Sequence, residues 1–90
     1  MESSNRSEQA RQMIDHIARE VIRRPDVHIA DDTRLVSSGL VDSLALVSIL
    51  VRLEEVTQTR IPAGKVQPKD MDSVALMLTT AQRLGKPRKS

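Results

Sequence analysis

The sequence contains no phenylalanine, tyrosine, tryptophan or cysteine. Without aromatic side chains it offers no platform on which nucleic-acid bases could stack, and its core must be built from aliphatic residues and methionine. Without cysteine it has neither a disulfide nor a thiolate metal site to stabilise a small fold. The two histidines, His16 and His28, are a weak signal for a metal, and we expect both to be solvated. Ninety residues of this composition predict one small domain that holds no metal.

Long apolar runs are also absent. Residues 1–5 are polar and lack the apolar stretch of a signal peptide. No apolar run approaches the roughly 20 residues that cross a bilayer. We therefore expect a cytoplasmic protein that makes no membrane contact.

Charge is unevenly distributed, although the net charge is only +2. Residues 26–58 carry six acids and two bases, whereas residues 59–90 carry seven bases and two acids. The basic residues at 85–90 could contact nucleic acid, but the run is short and lacks aromatics. We interpret it as a flexible solubilising tail without a nucleic-acid partner, and we expect a second flexible tail at residues 1–6.

Between these tails, at residues 7–84, apolar residues recur with helical spacing. The predicted helices lie at residues 7–24, 43–56 and 72–84, with a short helical turn at residues 66–71. Ser7 is the predicted cap of the first helix, Pro25 ends it, and Gly85 follows the last one as its C′ residue. The sequence thus predicts an all-α fold, a four-helix bundle of three main helices and one short helix, without strands.

The connection between the first two helices, residues 25–42, is long for so small a domain. A loop of this length would be needed to return along two parallel helices. Its apolar residues, Leu35 and Leu40 among them, predict that the loop is pinned onto the core.

The helix predicted after Ser43 has apolar residues on two faces. One face is an ordinary core stripe, formed by Leu46, Ile49, Leu50, Leu53 and Val56. The other face carries Leu44, Val47 and Val51, with Glu54 and Glu55 at its rim. Little of a 90-residue chain is left to cover this second stripe, so we interpret it as a docking surface. Burial beneath another helix is the alternative.

Ser43 stands where the long loop becomes this helix, directly after Asp42. A serine in this position ordinarily caps the helix by accepting a backbone hydrogen bond. The free N–H groups and positive dipole end of a first helical turn also favour an anion, so a phosphodiester on Ser43 would be well placed. No catalytic partner for the serine, such as a histidine with an acid, is in evidence. Catalysis by the chain itself is disfavoured because a small helical domain offers little concave surface.

Residues 33–56, TRLVSSGLVDSLALVSILVRLEEV, resemble the acyl carrier protein family from its first loop through its second helix. Residues 61–62 and 71–74 resemble that family's third-helix region and the start of its last helix. The resemblance implies a four-helix bundle with a long first loop and covalent 4′-phosphopantetheine on Ser43. It also implies that substrates are carried as thioesters on the terminal sulfur of this arm.

The resemblance implies roles for further residues and for partners. The residues expected to dock partner enzymes are Asp42, Leu44, Val47, Val51, Glu54 and Glu55. Those expected to line any space for a tethered chain are Leu46, Leu50, Leu53 and Ile61. The implied partners are a phosphopantetheinyl transferase, a loading ligase or acyltransferase, and downstream biosynthetic enzymes. The carrier itself is expected to be a monomer.

Several positions differ from the commonest carriers. Fatty-acid carriers are usually strongly acidic and commonly have acids at the positions of Ala45 and Ser48, and peptidyl carriers usually have His or Asn in place of Asp42. The sequence is more similar to discrete carriers of specialised pathways, including polyketide-type and D-alanyl carrier proteins. The alternatives are a housekeeping fatty-acid carrier and, from another class, an unmodified helical interaction module in which Ser43 is only a cap.

Overall fold

Three α-helices make up most of the computed structural model, which describes residues 2–24 and 26–87. Within these ranges the helices are α1 (Glu2–His16), α2 (Ala45–Thr57) and α3 (Val74–Leu84). Two 3-10 turns form the short helical segment predicted between α2 and α3, and they span Ala63–Lys65 and Pro68–Met71. The predicted all-α architecture of three main helices and a short one is confirmed.

The first helix starts earlier than the sequence predicts. It begins at Glu2, so the cap predicted at Ser7 is wrong. The Arg6 guanidinium donates to the carbonyl of Ala75 at 3.3 Å and to the hydroxyl of Thr79 at 3.2 Å, both on α3. These contacts favour helix in a segment whose serines and asparagine have weak helix propensity. Residues 2–6, which the sequence predicts to lie in a flexible tail, therefore belong to α1.

At its C-terminal end, α1 widens into a π-helical turn, Ile17–Val21. The N–H of Ile22 donates to the carbonyl of Ile17 at 2.8 Å, which is the wider hydrogen bond of a π-helix. Arg23 then takes a positive φ of 62°, and Pro25 lies outside the described residues. The first helical unit thus ends close to its predicted position, but its last turn is not α-helical.

The core is aliphatic, as the absence of aromatics requires. The largest fully buried side chains are Met13, Ile17, Leu35, Ile49, Leu53, Met71, Met77 and Val74. They come from all three helices, the π-helical turn, the long loop and the second 3-10 turn. Full burial of such a side chain contributes roughly 1.5–3 kcal/mol, so this cluster is the main source of stability.

One carboxylate holds the long loop against the start of α3. Oδ1 of Asp72 accepts hydrogen bonds from the backbone N–H groups of Leu35 (3.2 Å), Val36 (2.7 Å) and Ser37 (2.9 Å). The N–H of Leu35 also donates to the backbone carbonyl of Asp72 at 2.7 Å. The pKa of this buried carboxyl is lowered from 3.8 to about 2, chiefly by the Ser37 N–H, while burial acts in the opposite direction. The prediction that the loop is pinned onto the core is confirmed here.

A two-residue antiparallel ladder joins the ends of α2 and α3. Its strands are β1 (Thr59–Arg60) and β2 (Lys86–Pro87). The sequence predicts no strand, and this prediction is wrong. A strand of two residues is too short to show the alternation of apolar and polar residues from which strands are predicted. A Cβ on Gly85 would lie 2.9 Å from the Cβ of Thr59, so glycine permits this close approach. Part of the expected basic tail is therefore paired, and residues 88–90 lie outside the described ranges.

Helices α2 and α3 consequently run in the same direction. Their ends meet through the β1–β2 ladder. Their starts meet because Asp72 binds Leu35, whose carbonyl accepts the N–H of Val41 at 2.9 Å just before α2. The site at the start of α2 is thereby fixed to the start of α3.

His16 lies at the junction of α1 and the π-helical turn, and it is half-buried rather than solvated. Its Nε2 atom is buried and has no hydrogen-bond partner among the described residues. Burial lowers the pKa of this imidazole, and the charge of Arg52 on α2 acts in the same direction. The expectation of a solvated His16 is wrong because the side chain faces α2, whereas His28 is exposed as expected.

We predict that Asp72→Asn lowers the free energy of unfolding at pH 7 by about 2 kcal/mol, since the three N–H groups then donate to a neutral amide oxygen instead of a charged carboxylate. The wild-type carboxylate contributes this stability above its unfolded pKa of 3.8 and loses it as pH falls toward about 2. Urea denaturation at several pH values measures both quantities. A difference between the two proteins that stayed constant down to pH 2 would contradict the assignment to this carboxylate.

We also predict that stability decreases as pH falls below 6.5, because the unfolded chain protonates His16 more readily than the folded chain does. His16→Leu should lessen this loss, whereas His28→Leu should retain the wild-type pH dependence. Thermal unfolding of the three proteins between about pH 5 and pH 8 tests this. Equal pH dependence in wild type and His16→Leu would refute it.

Candidate functional site

Asp42 caps the helix that carries the candidate serine. Its Oδ1 atom accepts the backbone N–H of Ala45 at 2.9 Å, and its carbonyl accepts the same N–H at 3.2 Å. The carbonyl of Ser43 accepts the N–H of Leu46 at 3.2 Å, which continues the helical turn. The capping function considered for Ser43 therefore belongs to Asp42.

Ser43 itself is exposed. Within residues 2–24 and 26–87, its hydroxyl has no hydrogen-bond partner, and neither do the backbone N–H groups of Ser43 and Leu44. Unpaired N–H groups at the first turn of a helix carry partial positive charge and favour a nearby anion. A phosphodiester on this hydroxyl would fit the site without displacing an existing contact.

The loop before Ser43 is rigidly shaped. Gly39 takes a φ of 85°, a left-handed conformation that glycine adopts without strain. The hydroxyl of Ser38 donates to the carbonyl of Arg34 at 2.6 Å, and Val41 is buried in the core. These contacts hold the backbone on the N-terminal side of the serine. A flexible group on Ser43 would therefore be attached to an ordered segment of the chain.

A cavity of about 200 Å³ opens beside the serine, between α2 and the 3-10 turns. Its lining residues are Ser43, Leu46, Val47, Leu50, Ala63, Val66, Gln67, Pro68 and Met71. Leu46 and Leu50 are in the predicted positions, whereas Leu53 and Ile61 are buried in the core and do not line this cavity. The sequence did not predict that residues of the 3-10 turns line the cavity. An irregular segment has no periodicity that would show which of its side chains face α2.

The second apolar stripe of α2 is exposed, as the docking interpretation requires. The exposed fractions are 85% for Leu44, 69% for Val47 and 51% for Val51. Leu40, expected on the core, is 42% exposed and extends the stripe into the loop. Within the described residues, burial beneath another helix is therefore not observed.

The two acidic docking candidates near the end of α2 both have contacts within the chain. Oε2 of Glu54 accepts the backbone N–H of Ile61 at 2.7 Å, and Glu54 is half-buried. Oε1 of Glu55 lies 3.4 Å from the Arg52 guanidinium. Glu54 thus has a structural function that the sequence did not reveal, because its acceptor role depends on where the chain turns after α2.

A family model described as a phosphopantetheine attachment site matches residues 13–67, more than half of the chain. The chain belongs to this family of phosphopantetheine carriers. The resemblance to acyl carrier proteins is thereby confirmed, and the family's cofactor is covalently attached 4′-phosphopantetheine. No curated protein and no solved structure matches the carrier.

The matched range of the carrier contains Asp42, Ser43 and all of α2. Within the described residues, no cluster of three or more His, Asp or Glu side chains is arranged to hold a metal. No helix in these same ranges is long and apolar enough to cross a membrane. The features of the described residues that fit a phosphodiester are the exposed hydroxyl of Ser43, the free N–H groups of Ser43 and Leu44, and the adjoining cavity.

We predict that Asp42→Ala destabilises the unmodified carrier by about 1 kcal/mol, because the helix loses its cap. Ser43→Ala should change the free energy of unfolding by less than about 0.5 kcal/mol, because its hydroxyl makes no contact. Chemical denaturation of the two variants and the wild type provides the comparison. A larger loss in Ser43→Ala than in Asp42→Ala would return the capping function to the serine.

Proposed function

We propose that Ser43 carries the phosphopantetheine arm and that the chain is a discrete acyl or aminoacyl carrier protein acting in the cytoplasm. The observation that carries the proposal is that Asp42 and Ser43 have different roles at the start of α2. Asp42 caps the helix, and the Ser43 hydroxyl is left exposed and unpaired within the described residues. The bound arm would supply the terminal thiol on which a substrate is held as a thioester.

The residues around Ser43 support a tethering function. The N–H groups of Ser43 and Leu44 are placed to receive the phosphodiester, and the positive end of α2 favours its charge. Val41 and the Asp72 hydrogen bonds hold the attachment point still. In this proposal the chain positions the arm, and the partner enzymes catalyse the reactions of the group that it carries.

Specialised metabolism of the polyketide or nonribosomal type is the proposed setting. The net charge is +2, and the first two turns of α2 have Ala45 and Ser48 where fatty-acid carriers commonly have acids. The cavity beside the serine is also small. Its volume of about 200 Å³ has room for a short acyl or aminoacyl group.

The proposed partners follow from this function. A phosphopantetheinyl transferase attaches the arm, a loading ligase or acyltransferase charges it, and downstream biosynthetic enzymes remove or extend the cargo. Each of them has to reach Ser43, whose surroundings include the exposed side chains of Leu44 and Val47. Docking on this part of α2 is therefore part of the proposal.

We predict that incubation with coenzyme A, magnesium and a broad-specificity phosphopantetheinyl transferase adds the mass of one phosphopantetheine to the protein. Ser43→Ala should gain nothing, since the acceptor hydroxyl is missing. Ser48→Ala is the matched control, because Ser48 is an exposed serine on the same helix and should leave the gain unchanged. Intact-mass spectrometry measures all three proteins.

A folded wild-type protein that gained no mass would contradict the proposal and favour the unmodified interaction module. A gain that persisted in Ser43→Ala would place the arm on another residue. Circular dichroism of each variant before the reaction confirms that all three proteins are folded.

A further inference from the structure

The exposed apolar side chains next to Ser43 form a continuous strip, which consists of Leu40, Leu44, Val47 and Val51. Leu44 and Val51 are separated by two helical turns, with Val47 between them, so one face of α2 carries the strip. Exposed aliphatic residues in a row favour contact with another apolar surface. Ser48, which is exposed beside them, adds no charge.

The carboxylates around this strip are already engaged within the chain. Asp42 caps α2, Glu54 accepts the Ile61 N–H, and Glu55 lies against Arg52. Asp70, in the second 3-10 turn, accepts the N–H of Gln67 at 2.9 Å and lies 3.6 Å from the Arg83 guanidinium. Glu55 and Asp70 each lie beside a guanidinium, which offsets part of the negative charge that a basic partner surface would meet.

The 3-10 turns that form the opposite wall of the cavity contain two lysines. Lys65 and Lys69 are exposed, and they adjoin the cavity-lining residues Val66 and Pro68 in the chain. Among residues 2–24 and 26–87, neither lysine forms an ion pair with a carboxylate. The surface around Ser43 thus has an exposed apolar strip on α2 and two lysines without ion-pair partners on the 3-10 turns.

We propose that the enzymes acting on Ser43 dock with an apolar surface against the strip and with carboxylates against Lys65 and Lys69. This inference rests on the proposed carrier function. Like charges brought together at an interface repel, so the unpaired lysines select an acidic partner surface and disfavour a basic one.

Charge reversal at the two lysines tests this proposal with purified phosphopantetheinyl transferases. Two transferases are used, one with an acidic and one with a basic rim around its active site. With the acidic enzyme, Lys65→Glu/Lys69→Glu should raise KM for the carrier about tenfold, and raising salt from about 50 to about 500 mM should reduce this difference. With the basic enzyme, the same variant should lower KM.

The matched control is Arg60→Glu/Lys86→Glu. These residues face each other across the β1–β2 ladder, beyond the far end of a helix about 20 Å long, and the change in net charge is the same. This control should change KM less than about twofold with either enzyme, because charges at that distance are screened. Val47→Asp should raise KM with both enzymes, since it places a charge in the strip.

Each remaining outcome overturns the inference. Equal KM values for wild type and Lys65→Glu/Lys69→Glu with both enzymes would remove the lysines from docking, although modification of Ser43 would still support the carrier function. Sedimentation of the wild type with phosphatidylglycerol vesicles, lost in Lys65→Glu/Lys69→Glu, would assign the surface to a membrane. Absence of any mass gain at saturating enzyme would refute the carrier function and this inference together.

Discussion

The hydrogen bonds to Asp72 connect parts of the chain that are far apart in sequence. A single carboxylate oxygen accepts three successive backbone N–H groups of the long loop. Buried N–H groups need hydrogen-bond acceptors, and the loop has little regular secondary structure that could supply them. Without this anchor, Leu35 and Val41 would lose their fixed places in the core, and α2 would lose the support on which its first turn rests.

The position of the candidate serine depends on that support. Asp42 turns the fixed loop into a helix by capping α2, and this leaves the next side chain with no structural task. Two adjacent polar residues thus have separate roles: Asp42 stabilises the helix, and Ser43 presents an exposed hydroxyl. At the start of α3, by contrast, both residues of an Asp–Ser pair are structural, since the Ser73 hydroxyl accepts the Leu76 N–H as a cap and Asp72 holds the loop.

Much of this organisation could be read from the sequence, and the remainder has identifiable causes. Helical periodicity predicted the three main helices and the exposed stripe of α2, and the Asp42–Ser43 pair located the candidate site. Periodicity could not reveal which residues form the cavity wall or the two-stranded ladder, because short irregular segments carry no pattern. The early start of α1 depends on Arg6 reaching α3, and the acceptor role of Glu54 depends on the turn at Ile61. Such contacts are decided by tertiary structure.

The anchoring of the loop by Asp72 has a consequence for the order in which the protein becomes functional during synthesis. Ser43 leaves the ribosome well before Asp72, but the loop in front of the serine cannot settle until Asp72 and α3 have followed. The contact spans 36 positions of sequence, so closing it costs chain entropy that only the completed core can offset. A growing chain would therefore present its serine in native geometry only after Asp72 and α3 have emerged, and partner enzymes would first meet the native site at that stage.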